Sequence, residues 1–79
     1  MHYVYILQSV SHPERFYTGR TSDVNRRLAE HNRHKNEFTS RYKPWILKTY
    51  IAFTSKDQAI AFEKYLKSPS GRAFAKKRL

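Results

Sequence analysis

The stretch from Tyr17 to His31 gathers side chains that could act on a phosphate group. It begins as an aromatic run typical of a strand end, and Gly19 lets the backbone turn there without a Cβ clash. Arg27 and His31 follow, four residues apart, so they project together from one edge of the next helix. A guanidinium binds phosphate, and a phenol or an imidazole can carry a proton to or from a water. We therefore expect a small site at this strand-turn-helix unit.

Glu63 stands out for its position on a later helix. At about 100° per residue, it falls on the same third of that helix as Ala59, Phe62 and Leu66. A lone carboxylate on an apolar arc is costly unless it has a partner. A structural ion pair with Arg27 would satisfy it, and such pairs also shift pKa values.

Size and composition limit the class of protein. The chain has 79 residues, enough for one domain over residues 1–79 with a single modest core. Hydrophobic residues make up 39% and aromatic residues 15%, which favours a folded domain over a disordered basic tail. The formal net charge of +10 favours a polyanion as partner, because phosphate contacts release condensed counterions. Since the chain has no cysteine, no membrane-length apolar run and no signal-peptide pattern, we expect a cytoplasmic protein.

Three strands and two helices must position these side chains. Runs rich in β-branched and aromatic residues predict strands over residues 2–8, 15–19 and 45–53. The first run is almost continuously apolar, as in a central strand, and the second is most simply its hairpin partner. Helices are predicted over about 23–32 and after Ser55, which is spaced with Gln58 as a capping box. The expected fold is α/β (α+β), a small, mainly antiparallel three-stranded sheet flanked by helices.

Two segments carry weaker signals. Residues 32–43 are polar and basic without clear periodicity, which predicts a loop. Three of its residues could fold back over the site: Phe38, Thr39 and Tyr42. Ser68–Gly71 predicts a helix break, followed by a short basic helix or tail over Arg72–Leu79.

Two tripeptides and four single residues carry a family resemblance. The tripeptides are Tyr3-Val4-Tyr5 and Tyr17-Thr18-Gly19, and the single residues are Arg20, Arg27, His31 and Glu63. In order and spacing they resemble the GIY-YIG nuclease domain, in particular its small stand-alone members related to the N-terminal domain of the excision-repair excinuclease. Tyr3 and Thr18 depart from the family pattern, but both suit a strand. The resemblance covers nearly the whole chain.

This resemblance implies a metal-dependent endonuclease that hydrolyses DNA phosphodiester bonds, in DNA repair or processing. Glu63 would hold one Mg²⁺ or Mn²⁺, with waters and phosphate completing the octahedron. Arg27 would hold the scissile phosphate and offset its developing charge. Tyr5 or Tyr17 would be the general base, the family favouring Tyr17, and His31 would take or relay the proton. A tyrosine has a free pKa of about 10, so nearby cations would have to lower it.

Nucleic acid, and DNA before RNA, is the expected partner. Further basic side chains would contact its phosphates: Arg20, Arg26, Lys67, Arg72, Lys76 and Lys77. The sequence does not decide whether the protein also binds a protein partner or forms a homodimer.

Simpler interpretations exist for the same residues. Tyr5 and Tyr17 could be strand aromatics of a small core, and His31 an exposed residue at a helix end. Many family members carry an asparagine beyond the glutamate, whereas none follows Asn36 here. This favours the alternative function, a module that binds DNA or RNA with weak or no catalysis. A basic protein-interaction domain is the third and weaker alternative.

Overall fold

A computed structural model describes residues 1–33 and 40–79, which form three strands and three helices. Strands β1 and β2 and helix α1 come first, and β3, α2 and α3 follow. Their bounds are His2–Ser9 for β1, Phe16–Thr21 for β2, Val24–Arg33 for α1, Trp45–Phe53 for β3, Lys56–Leu66 for α2 and Pro69–Arg78 for α3. The predicted α+β fold is confirmed. Of the described helices, none has the length and apolarity that crossing a bilayer needs.

The sheet has the strand order β2-β1-β3, with both pairs antiparallel. The predicted central place of β1 and its hairpin with β2 are therefore confirmed. In the β1–β2 pair, Leu7 lies opposite Tyr17 and Tyr5 lies opposite Gly19. Because directly opposed residues share a face, this register places both phenols on the same side of the sheet.

The two faces of β1 bury different clusters, since successive side chains point to opposite sides. On one face, Val4 and Ile6 pack with residues of α2, namely Ala59 and Leu66. The other face carries the larger side chains, and α1 covers it through Leu28; its buried members are Tyr5, Leu7 and Trp45. The sheet thus separates α1 from the α2–α3 pair.

Several predicted boundaries need correction. Strand β2 continues to Thr21 rather than ending at Gly19, because Arg20 and Thr21 still pair with β1. The Ser68–Gly71 break is also the start of α3, since Ser68 caps it and proline is tolerated in the first turn. Helix α2 begins as predicted, with the Ser55 hydroxyl accepting from the Gln58 amide.

The predicted loop over residues 32–43 is only partly described. Asn32 and Arg33 close α1, and Ser40 and Arg41 are helical, so the loop prediction is wrong at those positions. Phe38 and Thr39 lie outside the described residues. Tyr42 packs beside Trp45, with ring centroids 6.5 Å apart, at the edge of the cluster on the α1 face.

Candidate active site

Tyr5 is the centre of the candidate site. Its side chain points from β1 towards α1 and is 1% exposed. The phenol oxygen lies 3.0 Å from Nε2 of His31, which α1 brings in from 26 residues away. His31 is itself 4% exposed, so its interpretation as an exposed helix-end residue is wrong.

Tyr17 completes an aromatic cluster around that hydrogen bond. Its ring lies 4.5 Å from the His31 ring and 6.3 Å from the Tyr5 ring, measured between centroids. Tyr5 belongs to the buried core and Tyr17 packs against it, so the core interpretation of both residues holds as well. The two phenols therefore both pack in the core and lie beside the His31 imidazole.

Gly19 makes room for the Tyr5 phenol. An ideal Cβ at position 19 would lie 2.4 Å from the Tyr5 hydroxyl oxygen and 2.6 Å from Cζ. The glycine is needed for this close approach, whereas the sequence suggested a backbone turn. Its backbone φ is not positive and it sits within β2, which corrects that expectation.

Arg27 reaches the same cluster from α1. Its Nη1 donates to Oε1 of Glu30 at 2.9 Å, one turn along the helix. That bond raises the pKa of Arg27, and a further hydrogen bond to Tyr5 acts in the same direction. Arg27 is therefore a permanent cation pointed at the phenol.

Burial raises the pKa of Tyr5 to about 12, although the hydrogen bond from Arg27 and its positive charge lower it in part. The negative charges of Tyr17 and Glu63 also contribute to raising it. Near neutral pH, Tyr5 is thus an uncharged phenol. Since the guanidinium can only donate, Tyr5 accepts from Arg27, and it also forms the hydrogen bond with Nε2 of His31.

Glu63 lies on α2, across the edge strand β2 from the phenols. It forms an ion pair with Arg20, with Nε to Oε1 at 3.5 Å, and accepts from Nζ of Lys67 at 3.0 Å. The alternative interpretation, an ion pair between Glu63 and Arg27, is therefore wrong, because Arg27 pairs with Glu30 instead. Glu63 still lies close enough to Tyr5 for its charge to affect the pKa of the phenol.

The donors at Glu63 fit a lightly coordinated Mg²⁺ or Mn²⁺. Among residues 1–33 and 40–79, no three His, Cys, Asp or Glu side chains form a ligand group. Mg²⁺ needs no such group, since it commonly takes one or two carboxylates and fills the octahedron with water and substrate phosphate. The Glu63 side chain is 21% exposed, so it is partly accessible to solvent.

The structure separates the predicted phosphate contacts into two sets. Arg20 and Lys67 lie directly at Glu63. The others are exposed and form no part of this cluster: Arg26 on α1, and Arg72, Lys76 and Lys77 on α3.

Two contributors escaped the sequence reasoning. Glu30 holds Arg27, and its spacing of three residues from the arginine could have indicated this. Asn32 donates from Nδ2 to the Trp45 carbonyl at 2.9 Å and accepts from the Trp45 amide, which ties the end of α1 to β3. No local pattern in the sequence announces that contact.

The sequence of this chain is similar to those of known proteins. Residues 1–78 match the family described as the GIY-YIG catalytic domain. The UPF0213 protein SpyM3_1077 of Streptococcus pyogenes serotype M3 is 38% identical over 72 residues, covering 90% of this chain and 76% of that protein. The structure-specific endonuclease subunit SLX1 of Debaryomyces hansenii is 38% identical over 73 residues, covering 84% of this chain but 21% of that protein. The chain therefore belongs to the GIY-YIG family and is a nuclease-type domain.

Proposed function

We propose that this domain is an endonuclease that hydrolyses DNA phosphodiester bonds with the help of Mg²⁺ or Mn²⁺. The supporting observation is that Tyr5, Tyr17, Arg27 and His31 meet on one face of the sheet. Glu63 lies near enough for its charge to act on Tyr5. The SLX1 relative is named a structure-specific endonuclease subunit, which favours branched or flapped DNA as substrate. We infer that the domain acts in DNA repair or processing and that it does so in the cytoplasm.

Arg27 is the group best placed to bind the scissile phosphate. Its guanidinium has five N–H donors, and the contacts to Glu30 and Tyr5 use only part of them. Its side chain is 39% exposed, so a phosphate can reach the remaining donors. The fixed positive charge would stabilise the negative charge that develops on the phosphoryl oxygens.

Proton transfer is assigned to Tyr17 and His31. Tyr5 is a poor base because burial raises its pKa to about 12, so we give it the role of orienting His31 and Arg27. The attacking water would pass a proton to the Tyr17 oxygen as the phenol gives its own proton to the imidazole. A new P–O bond forms while the bond to the leaving oxygen breaks in line with it.

Glu63 would hold the divalent cation, which would supply positive charge to stabilise the phosphoryl and leaving oxygens. Ion pairs with Arg20 of β2 and with Lys67 hold the carboxylate in place.

Cleavage of supercoiled plasmid and of flapped DNA with Mg²⁺ or Mn²⁺ tests this function. We expect Glu63→Gln and Arg27→Ala each to lower the rate about 100-fold or more, as for the loss of one transition-state contact. Glu14→Gln and Arg33→Ala are matched controls, since both residues are exposed and neither belongs to the cluster or to the predicted phosphate contacts. Metal-dependent cleavage that survives both site substitutions would refute the assignment.

A second candidate function is nucleic-acid binding without turnover. It is favoured by the lack of any asparagine after Asn36, beyond the glutamate. This function predicts salt-dependent binding of DNA or RNA and no cleavage with either metal on any substrate form.

A further inference from the structure

Both carboxylate oxygens of Glu63 are engaged by cations of the protein itself. Oε1 lies 3.5 Å from Nε of Arg20, and Oε2 lies 3.0 Å from Nζ of Lys67. The two cations approach from different elements, one from the edge strand β2 and the other from the residue after the last turn of α2. The proposed metal ligand is thus charge-neutralised before any metal arrives.

This arrangement opposes the binding of a divalent cation to the free protein. A metal at Glu63 would lie close to both positive side chains, and like charges at such distances repel. It would also have to compete with them for the same oxygens. The metal site is therefore weaker than the carboxylate alone would make it.

The same two cations are suited to bind phosphate instead. The side chains of Arg20 and Lys67 are 33% and 54% exposed, and exposed ion pairs are weak, so a nucleic-acid backbone can compete for them. A phosphate that draws them away removes the repulsion and leaves the Glu63 oxygens free. By linkage, whatever nucleic acid does for metal affinity, metal does equally for nucleic-acid affinity.

We propose that Arg20 and Lys67 occupy Glu63 in the nucleic-acid-free protein and move to backbone phosphates on binding, so that nucleic acid and divalent metal bind cooperatively. This inference rests on the proposed function, because it takes Glu63 as the metal ligand. It assigns the two residues a role in loading the site rather than in the reaction itself.

Titration of the nucleic-acid-free protein with Mn²⁺ tests whether Arg20 and Lys67 oppose metal binding. Electron paramagnetic resonance measures the free Mn²⁺. Arg20→Gln and Lys67→Gln should each bind Mn²⁺ about two- to five-fold more tightly than the unmodified protein, the strength of one exposed pair. Lys64→Gln is the matched control, because it removes the same charge next to Glu63 on α2 without breaking either ion pair. Its effect should be smaller.

Repeating the titration with a phosphorothioate duplex, which resists hydrolysis, tests whether nucleic acid and metal bind cooperatively. The duplex should tighten Mn²⁺ binding in the unmodified protein and do so less in Arg20→Gln and Lys67→Gln. If those variants bind Mn²⁺ no more tightly than Lys64→Gln, the inference is overturned while the proposed function stands. If Glu63→Gln retains Mn²⁺ binding, the metal assignment fails and the inference fails with it.

Discussion

The hydroxyl oxygen of Tyr5 lies 2.4 Å from the position that a Cβ would take at Gly19. Tyr5 is 1% exposed, so its ring has no free space into which it could retreat. We expect Gly19→Ala to destabilise the fold by about 1–3 kcal/mol, the usual cost of overpacking, measured by urea denaturation. The same substitution should lower cleavage by moving the phenol away from His31.

The double variant Tyr5→Phe/Gly19→Ala provides the control. Removing the hydroxyl removes the closest clash but leaves Cζ at 2.6 Å, so the two substitutions should be non-additive and the stability partly restored. Additive losses would show that the two residues do not touch.

The raised pKa of Tyr5 predicts a pH dependence of stability. Between its unfolded value of 10.0 and its folded value of about 12, the folded state holds a proton that the unfolded state has lost. The free energy of unfolding should therefore be unaffected below pH 10 and fall as the pH rises towards 12, by about 2–3 kcal/mol from this group.

Comparison with Tyr5→Phe isolates that contribution, since the other tyrosines titrate in both proteins. Urea denaturation across this pH range should show that the free energy of unfolding of the unmodified protein falls relative to that of the Tyr5→Phe variant. A constant difference between the two would contradict the burial of the phenol.

Gly71 predicts a second close approach, in the corner between α2 and α3. A Cβ there would lie 1.8 Å from the carbonyl oxygen of Tyr65, a backbone atom that cannot rotate aside. Gly71→Ala should cost about 2–3 kcal/mol through displacement of α3, measured by urea denaturation. Ser70→Ala, at the exposed neighbouring position, is the control and should cost little. Equal stabilities would refute the close approach.

Helix α3 should bind the nucleic-acid backbone without reading its sequence. Its exposed basic residues include Arg72, Lys76 and Lys77. Replacing any of them with alanine should weaken binding equally for unrelated sequences and reduce the slope of log K against log salt by roughly 0.9 per lost phosphate contact on duplex DNA. Fluorescence anisotropy at several salt concentrations measures both quantities. An unchanged slope would exclude α3 from the interface.

Most of the elements were predictable from the sequence because they have strong local signals. The apolar run of β1 indicated a central strand, and the spacing of Ser55 and Gln58 fixed the start of α2. The start of α3 was misplaced because Ser68 and Pro69 are typical both of a break and of a helix N-terminus.

The site was predictable only as a set of residues, not as a set of contacts. Family spacing indicated Arg27 and Glu63, and the simpler alternative was that the two form an ion pair. Each instead pairs with a residue three or four positions along the chain. The burial of His31 depends on how α1 lies across the sheet, and no local pattern encodes that angle. These contacts depend on tertiary packing, which the periodicity of the sequence does not encode.

Gly19 and Arg20 are neighbours on β2, yet they face opposite sides of the sheet, one under Tyr5 and the other at Glu63. If β2 paired with β1 one residue out of step, a residue bearing a side chain would be pressed under the Tyr5 ring. Such a mispaired hairpin could not close over the phenol. The close approach of Tyr5 to Gly19 therefore also disfavours a misaligned pairing of the two strands.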